Sequence, residues 1–122
     1  MIRFGSSRIV FLIGKWAVKI PINKCGIEQS QQEIKTWNKY KSKPFNKIIS
    51  KIGFITIHQK AKAVDLTNFK LFRDRIVEYE KNYPELKFKR GDIYRHENWG
   101  IVNNEFVIID YGLNIDIENK YY

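Results

Sequence analysis

The residues best suited to chemistry lie in the last third of the chain. Gly91-Asp92-Ile93-Tyr94-Arg95-His96-Glu97-Asn98 puts an acid and an amide on one loop. The apolar run of residues 106–109 then leads into Asp110-Tyr111-Gly112. An acid and an amide on a loop, a short strand and a second acid in a glycine turn look like a phosphate-transfer site. Val107-Ile108-Ile109 reads as a buried β-branched strand that delivers the Asp110 carboxylate to a cleft. Upstream, Lys19 closes the strand-like Trp16-Ala17-Val18-Lys19. Glu33 lies in a helical stretch over residues 26–40, where Ile27, Ile34 and Trp37 recur at helical spacing with Ser30 and Gln31 between them. Taken singly, each has an ordinary use: a lysine at a strand end is a solvated charge, and an Asp before Gly is turn chemistry. Their order along the chain carries the functional reading.

That order resembles the protein kinase superfamily, closer in texture to bacterial and phage kinase-like proteins than to eukaryotic kinases. Trp16-Ala17-Val18-Lys19 is similar to the V-A-I-K strand signature, and Asp92 to Asn98 is similar to the catalytic loop that runs from its Asp to its Asn. The resemblance implies that Lys19 contacts the α- and β-phosphates of ATP and is held by Glu33. Glu33 is preferred to Glu28 because it lies a turn and a half further from the fraying helix end. It implies Asn98 and Asp110 as ligands of Mg²⁺, and Asp92 as the group that orients the acceptor hydroxyl. Gly5, Ser6 and Ser7 stand where a glycine-rich loop offers backbone N–H groups to phosphate oxygens. The chain departs from the pattern in three places. Arg90-Gly91-Asp92 replaces His-Arg-Asp, Asn98 follows Asp92 by six residues rather than five, and the full G-x-G-x-x-G is reduced to Gly5-Ser6-Ser7.

The expected fold is α+β: a reduced kinase-like domain over residues 1–122, with an N-lobe over about residues 1–61 and a truncated C-lobe over residues 62–122. Residues 8–13 and 15–20 read as a hairpin hinged at Gly14 and ended by Pro21, after a very short first segment, Ile2-Arg3-Phe4. Residues 26–40 form the helix of the N-lobe. Residues 48–57, divided by Gly53, supply two more strands, and residues 59–61 run past the adenine. In residues 67–83 the apolar positions Phe69, Phe72, Ile76 and Val77 follow a 3.6 period and make one long helix before Pro84. The catalytic loop and a short strand pair complete the C-lobe, with ten residues after Gly112.

Charge separates the two halves. Residues 1–61 hold 12 Lys or Arg against Glu28 and Glu33, a sum of +10, whereas residues 62–122 hold 10 against 11. Lys35, Lys39, Lys41, Lys43, Lys47 and Lys51 follow one another with no acid between, a density that attracts nucleic acid or an acidic protein surface. The bland alternative is a solvated helix end and loop. Cys25 is alone, so an intrachain disulfide is excluded, and no apolar stretch reaches signal-peptide or membrane-spanning length. The expected compartment is the cytoplasm. Two functions follow. One is an ATP- and Mg²⁺-dependent phosphotransferase whose acceptor, a protein hydroxyl or a small molecule, the residues leave open. The other is a pseudokinase-type interaction module of phage origin that binds a host macromolecule through its basic half. A homodimer or a partner could complete the short C-lobe.

Overall fold

The computed structural model describes residues 2–41, 44–64, 67, 69–86, 95–112 and 115–121. Among the described residues the architecture is α+β, with a five-stranded antiparallel sheet, a three-stranded antiparallel sheet and three α-helices. The larger sheet is built from β1 (Ile2–Phe4), β2 (Arg8–Ile13), β3 (Trp16–Pro21), β4 (Ile48–Ile52) and β5 (Ile55–Gln59), in the order β1-β2-β3-β5-β4. Helix α1 (Lys24–Tyr40) crosses between β3 and β4. The smaller sheet pairs β6 (Lys62–Ala63), β7 (Trp99–Val102) and β8 (Glu105–Ile108), and α2 (Phe69–Asn82) lies between β6 and β7 in sequence. The chain closes with α3 (Ile115–Tyr121).

The hairpins follow from local chemistry. Ile13 opposes Trp16 and Ile52 opposes Ile55, so Gly14-Lys15 and Gly53-Phe54 each make a two-residue turn. Val102 opposes Glu105 across Asn103-Asn104, whose φ values of 52° and 64° are both left-handed, as a primed hairpin turn requires and as asparagine tolerates. The side chain of Asn23 accepts from Gly26 N at 2.9 Å and caps the start of α1; Lys41, at φ 46°, closes its end by donating its backbone N–H to Trp37 O at 2.7 Å.

The apolar core belongs to the second half of the chain. Phe72 and Ile76 of α2, Trp99 of β7, and Phe106 and Ile108 of β8 are buried together with Phe45, Val64, Leu86 and Tyr111. The ring of Tyr79 stacks on Trp99 at 5.0 Å, and Phe72 meets Trp99 edge-on at 5.7 Å. An isolated parallel bridge from Phe45 to Ile108 ties the segment after α1 to β8.

Register fixes what each face of the five-stranded sheet carries. Val10 opposes Lys19 and Lys19 opposes Thr56, so Arg8, Lys19, Thr56 and His58 share one face, against which α1 packs. On the other face Ile2, Phe11, Val18 and Ile57 form a row across four strands, with Ile9 and Ile20 on one side of it and Ile13 and Trp16 on the other.

Several expected elements shift. Helix α1 begins at Lys24 rather than residue 26, α2 is shorter than residues 67–83, and Ile109 lies just beyond β8. The buried stripe of α1 is Cys25, Gly26, Gln29, Ser30, Glu33 and Thr36, while Ile27, Ile34 and Trp37 are half-buried. The correction has a physical cause: this helix packs on charged and hydroxyl groups of the sheet, so its inner stripe is polar and small. Strand β6 and helix α3 had no counterpart in the sequence reading, one being only two residues long and the other a single apolar-poor stretch of seven.

Candidate functional site

Glu33 is the centre of a buried charge cluster. It is fully buried on the inner stripe of α1 and receives four groups. Arg8 of β2 donates from Nη1 to Oε1 at 2.6 Å and from Nη2 to Oε2 at 3.3 Å. Lys19 of β3 donates to Oε2 at 3.2 Å and to Oε1 at 3.4 Å. The backbone N–H of Tyr111 donates to Oε2 at 3.1 Å, and His58 Nε2 lies 3.6 Å from Oε1. Burial pushes the Glu33 carboxyl up, but the Arg8 and Lys19 charges outweigh it and hold the group well below the usual carboxylate range. Arg8 stays protonated because Glu33 and Asp110 overcome the cost of burying it. Lys19 is pulled down by burial and by Arg8 despite Glu33. His58 is lowered to about 3 by burial and by the Lys19 and Arg8 charges; it is neutral and contacts Thr56 Oγ1 at 2.8 Å.

Asp110 joins this cluster from the other half of the chain. Arg8 Nη2 donates to its Oδ1 at 3.0 Å, while its side chain is 45% exposed and so faces solvent on its remaining side. Lys19 Nζ donates to Ile109 O at 2.6 Å, which fills the third of its three N–H donors. The backbone O of Asn98 accepts from Ile109 N at 2.9 Å and Asp110 N at 3.4 Å. Lys19, Glu33 and Asp110 therefore meet at one place, from β3, α1 and the segment just after β8, and the 3₁₀ turn His96–Asn98 adjoins it through the backbone carbonyl of Asn98. Tyr111 turns inward, 1% exposed, and donates its hydroxyl to Asn46 O at 2.9 Å; burial and Glu33 push its phenol pKa up.

Two glycines let other segments press against α1, and one of them, Gly112, joins the two halves. A Cβ on Gly112 meets Gln29 O at 2.4 Å and Glu33 Cγ at 3.0 Å, so the Asp-Tyr-Gly turn rests directly on the backbone of α1. A Cβ on Gly26 meets Ser7 O at 2.1 Å, and the first turn of α1 lies equally close to the β1–β2 connection.

That connection is Gly5-Ser6-Ser7. Gly5 N donates to Arg8 O at 2.9 Å, and Ser6 O accepts from Asn23 Nδ2 at 3.0 Å. Ser7 is buried with Oγ donating to Gln29 Oε1 at 2.8 Å, so its side chain is committed to α1 and only the turn backbone and Ser6 face outward. Asp92 lies outside the described residues, as does Lys43. The other lysines of the basic run, Lys35, Lys39, Lys41, Lys47 and Lys51, are exposed.

Sequence reasoning missed Arg8 and His58. An arginine at a strand start and a histidine in mid-strand carry no motif. The available signal was alternation, which places both on the Lys19 face and so beneath α1. A cavity of about 480 Å³ lies elsewhere, lined by Trp37, Phe45, Lys47 and Val107 among others and by none of the charged cluster. The charge cluster, not this cavity, marks the candidate site.

Among the described residues no group of three or more His, Cys, Asp or Glu is placed to hold a metal ion, and no helix is long and apolar enough to cross a membrane. No family model, curated protein or solved structure matches this chain.

Proposed function

We propose that this chain is a kinase-like domain that binds ATP with Mg²⁺ and transfers its terminal phosphoryl group to a hydroxyl. The observation that carries the reading is the meeting of Lys19, Glu33 and Asp110 in one cluster, with the backbone of Asn98 beside it, in the order along the chain that the kinase-like pattern requires. Mg²⁺ is held in such sites by one or two protein groups plus the phosphates themselves, so the half-exposed Asp110 carboxylate would hold an ion that arrives with the nucleotide, joined in this reading by Asn98. When bound, Mg-ATP supplies the transferable phosphoryl group and the metal that neutralises its charge. The protein supplies position. Glu33 fixes the four-carbon amine of Lys19 so that the phosphate chain meets a placed charge. Arg8 adds a second cation in the same cluster, directly after the Gly5-Ser6-Ser7 turn, which lies beside the phosphates in this reading although its Gly5 N–H is donated to Arg8 O. Asp92 orients the acceptor hydroxyl.

Two variants separate the roles. Asp110→Asn should lose both Mg-ATP binding and transfer. Asp92→Asn should keep nucleotide binding and lower turnover by about 10²-fold or more, the scale of losing a positioned base. If both variants transfer phosphate as the wild type does, the catalytic reading fails.

A second reading, a catalytically inactive kinase-like interaction module, is favoured by a different observation. Lys19 has all three donors occupied, and Asp110 already holds a cation in Arg8. In that reading the cluster is a structural clasp between the halves, and the exposed lysines from Lys35 to Lys51 meet an acidic protein or nucleic acid. Nucleotide binding that is absent in the presence of Mg²⁺ selects it.

A further inference from the structure

The face of the five-stranded sheet turned away from α1 presents an apolar surface on the outside of the molecule. Its central row is Ile2, Phe11, Val18 and Ile57, and at the β2–β3 end Ile13 and Trp16 are 57% and 50% exposed. Inter-strand spacings of about 4.8 Å and a rise of about 3.3 Å per residue make this face roughly 20 Å on each side, an area at which exposed apolar patches mark interaction sites. The chemistry is the reverse of a solvated sheet face, where the outward positions are polar.

We infer that this face docks a protein partner whose own surface has an apolar centre framed by carboxylates. Charge selects the occupant. Residues 2–21 and 48–59, which contain all five strands, include no Asp or Glu. Arg8 and Lys19 are spent on Glu33 inside, but Lys15 at the β2–β3 turn and Lys47 and Lys60 beside the sheet are exposed, and none pairs with a carboxylate among the described residues. A second copy of the chain would bring these lysines against one another, from halves that each sum to +10, and like charges facing across an interface oppose association. An anionic bilayer matches the charge but not the shape. A sheet laid flat on lipid carries the open backbone edges of β1 and β4 into the apolar boundary, where nothing pairs with them, whereas a protein partner leaves them at a wet rim. The inference stands on the sheet face alone and is independent of nucleotide binding.

The test uses the whole chain as bait for a random peptide display library, with counter-selection on the double variant Ile13→Ser/Trp16→Ser. Both positions are at least half exposed, and circular dichroism checks that the variant keeps the fold. A second bait, Lys15→Glu/Lys60→Glu, leaves the apolar face intact; the backbone N–H of Lys60 donates to Lys15 O at 2.9 Å, so both charges sit at the Ile13–Trp16 end. The expected binders combine aromatic or aliphatic anchors with Asp and Glu. They weaken about tenfold or more on the first variant, as loss of a large exposed anchor does, and weaken on the second more at low salt than at high salt. Binders without acids, or binders indifferent to both variants, overturn the inference. So does sedimentation of the wild type as a dimer that Ile13→Ser/Trp16→Ser dissolves, which assigns the face to a second copy. Flotation with phosphatidylserine vesicles that the same variant abolishes assigns it to a membrane and overturns it equally.

Discussion

The two faces of the five-stranded sheet invert the usual rule. The face under α1 buries an arginine, a lysine, a histidine and a threonine around a fully buried glutamate, while the open face carries isoleucine, valine, phenylalanine and tryptophan. The smaller sheet and α2 do the opposite, burying Phe72, Ile76, Trp99, Phe106 and Ile108 in an ordinary aromatic core. Burying two cations around one buried carboxylate is a poor way to gain stability, because desolvation opposes the Coulomb attraction. What the cluster achieves is placement: it locks Lys19 and Asp110 together from opposite ends of the chain. One half of the molecule carries the aromatic core, and the other half buries a charge cluster beneath α1 and leaves its apolar sheet face open.

The strongest way to break this comparison is to unbalance the cluster. Glu33→Gln leaves Arg8 and Lys19 buried with one carboxylate fewer and should cost about 3–5 kcal/mol in a urea unfolding titration. Trp16→Ser on the open face should cost less than about 1 kcal/mol in the same titration. Equal losses from the two variants contradict the assignment of faces.

Gly112→Ala sharpens the contact between the halves. The new Cβ collides with the Gln29 carbonyl, so stability should fall by about 1–3 kcal/mol, the range for overpacking. The turn that holds Asp110 must also shift, and Mg-ATP affinity should fall with it. A variant as stable as the wild type shows that α1 and the turn are not in contact in solution.

Acid loosens the charged face through His58 and then Glu33. His58 has its folded pKa depressed from 6.5 to about 3, so below pH 6.5 the unfolded chain takes up a proton that the folded one refuses. Stability is therefore full above pH 6.5 and declines toward pH 3, by at most about 1.4 kcal/mol per pH unit from this group. Glu33, also depressed, adds its own loss once the pH falls below its unfolded value of 4.5. His58→Gln should flatten the decline between pH 6.5 and 4.5 while leaving the steeper loss below it. Urea midpoints at three pH values measure both slopes.

Part of this was legible in the sequence. Lys19, Glu33, Asn98 and Asp110 could be picked out because each belongs to a short motif and the motifs stand in a familiar order. The hairpins and α2 followed from alternation and a 3.6-residue period. Arg8 and His58 were not legible, since their importance comes from strand register beneath a helix rather than from any local pattern. The half-buried Ile27, Ile34 and Trp37 misdirected the reading of α1, because periodicity finds apolar stripes and the inner stripe of this helix is polar. The open apolar face was spelled out in Ile9, Phe11, Val18 and Ile20. Alternating residues show that a strand has two different faces, but not which of them a helix will cover.

The most direct measurement is an isothermal titration of the chain with ATP, with and without Mg²⁺, repeated on Asp110→Asn. The account predicts saturable binding that requires Mg²⁺ and disappears in the variant. Absence of binding in the wild type, or binding unchanged by removing Mg²⁺ and by Asp110→Asn, contradicts it.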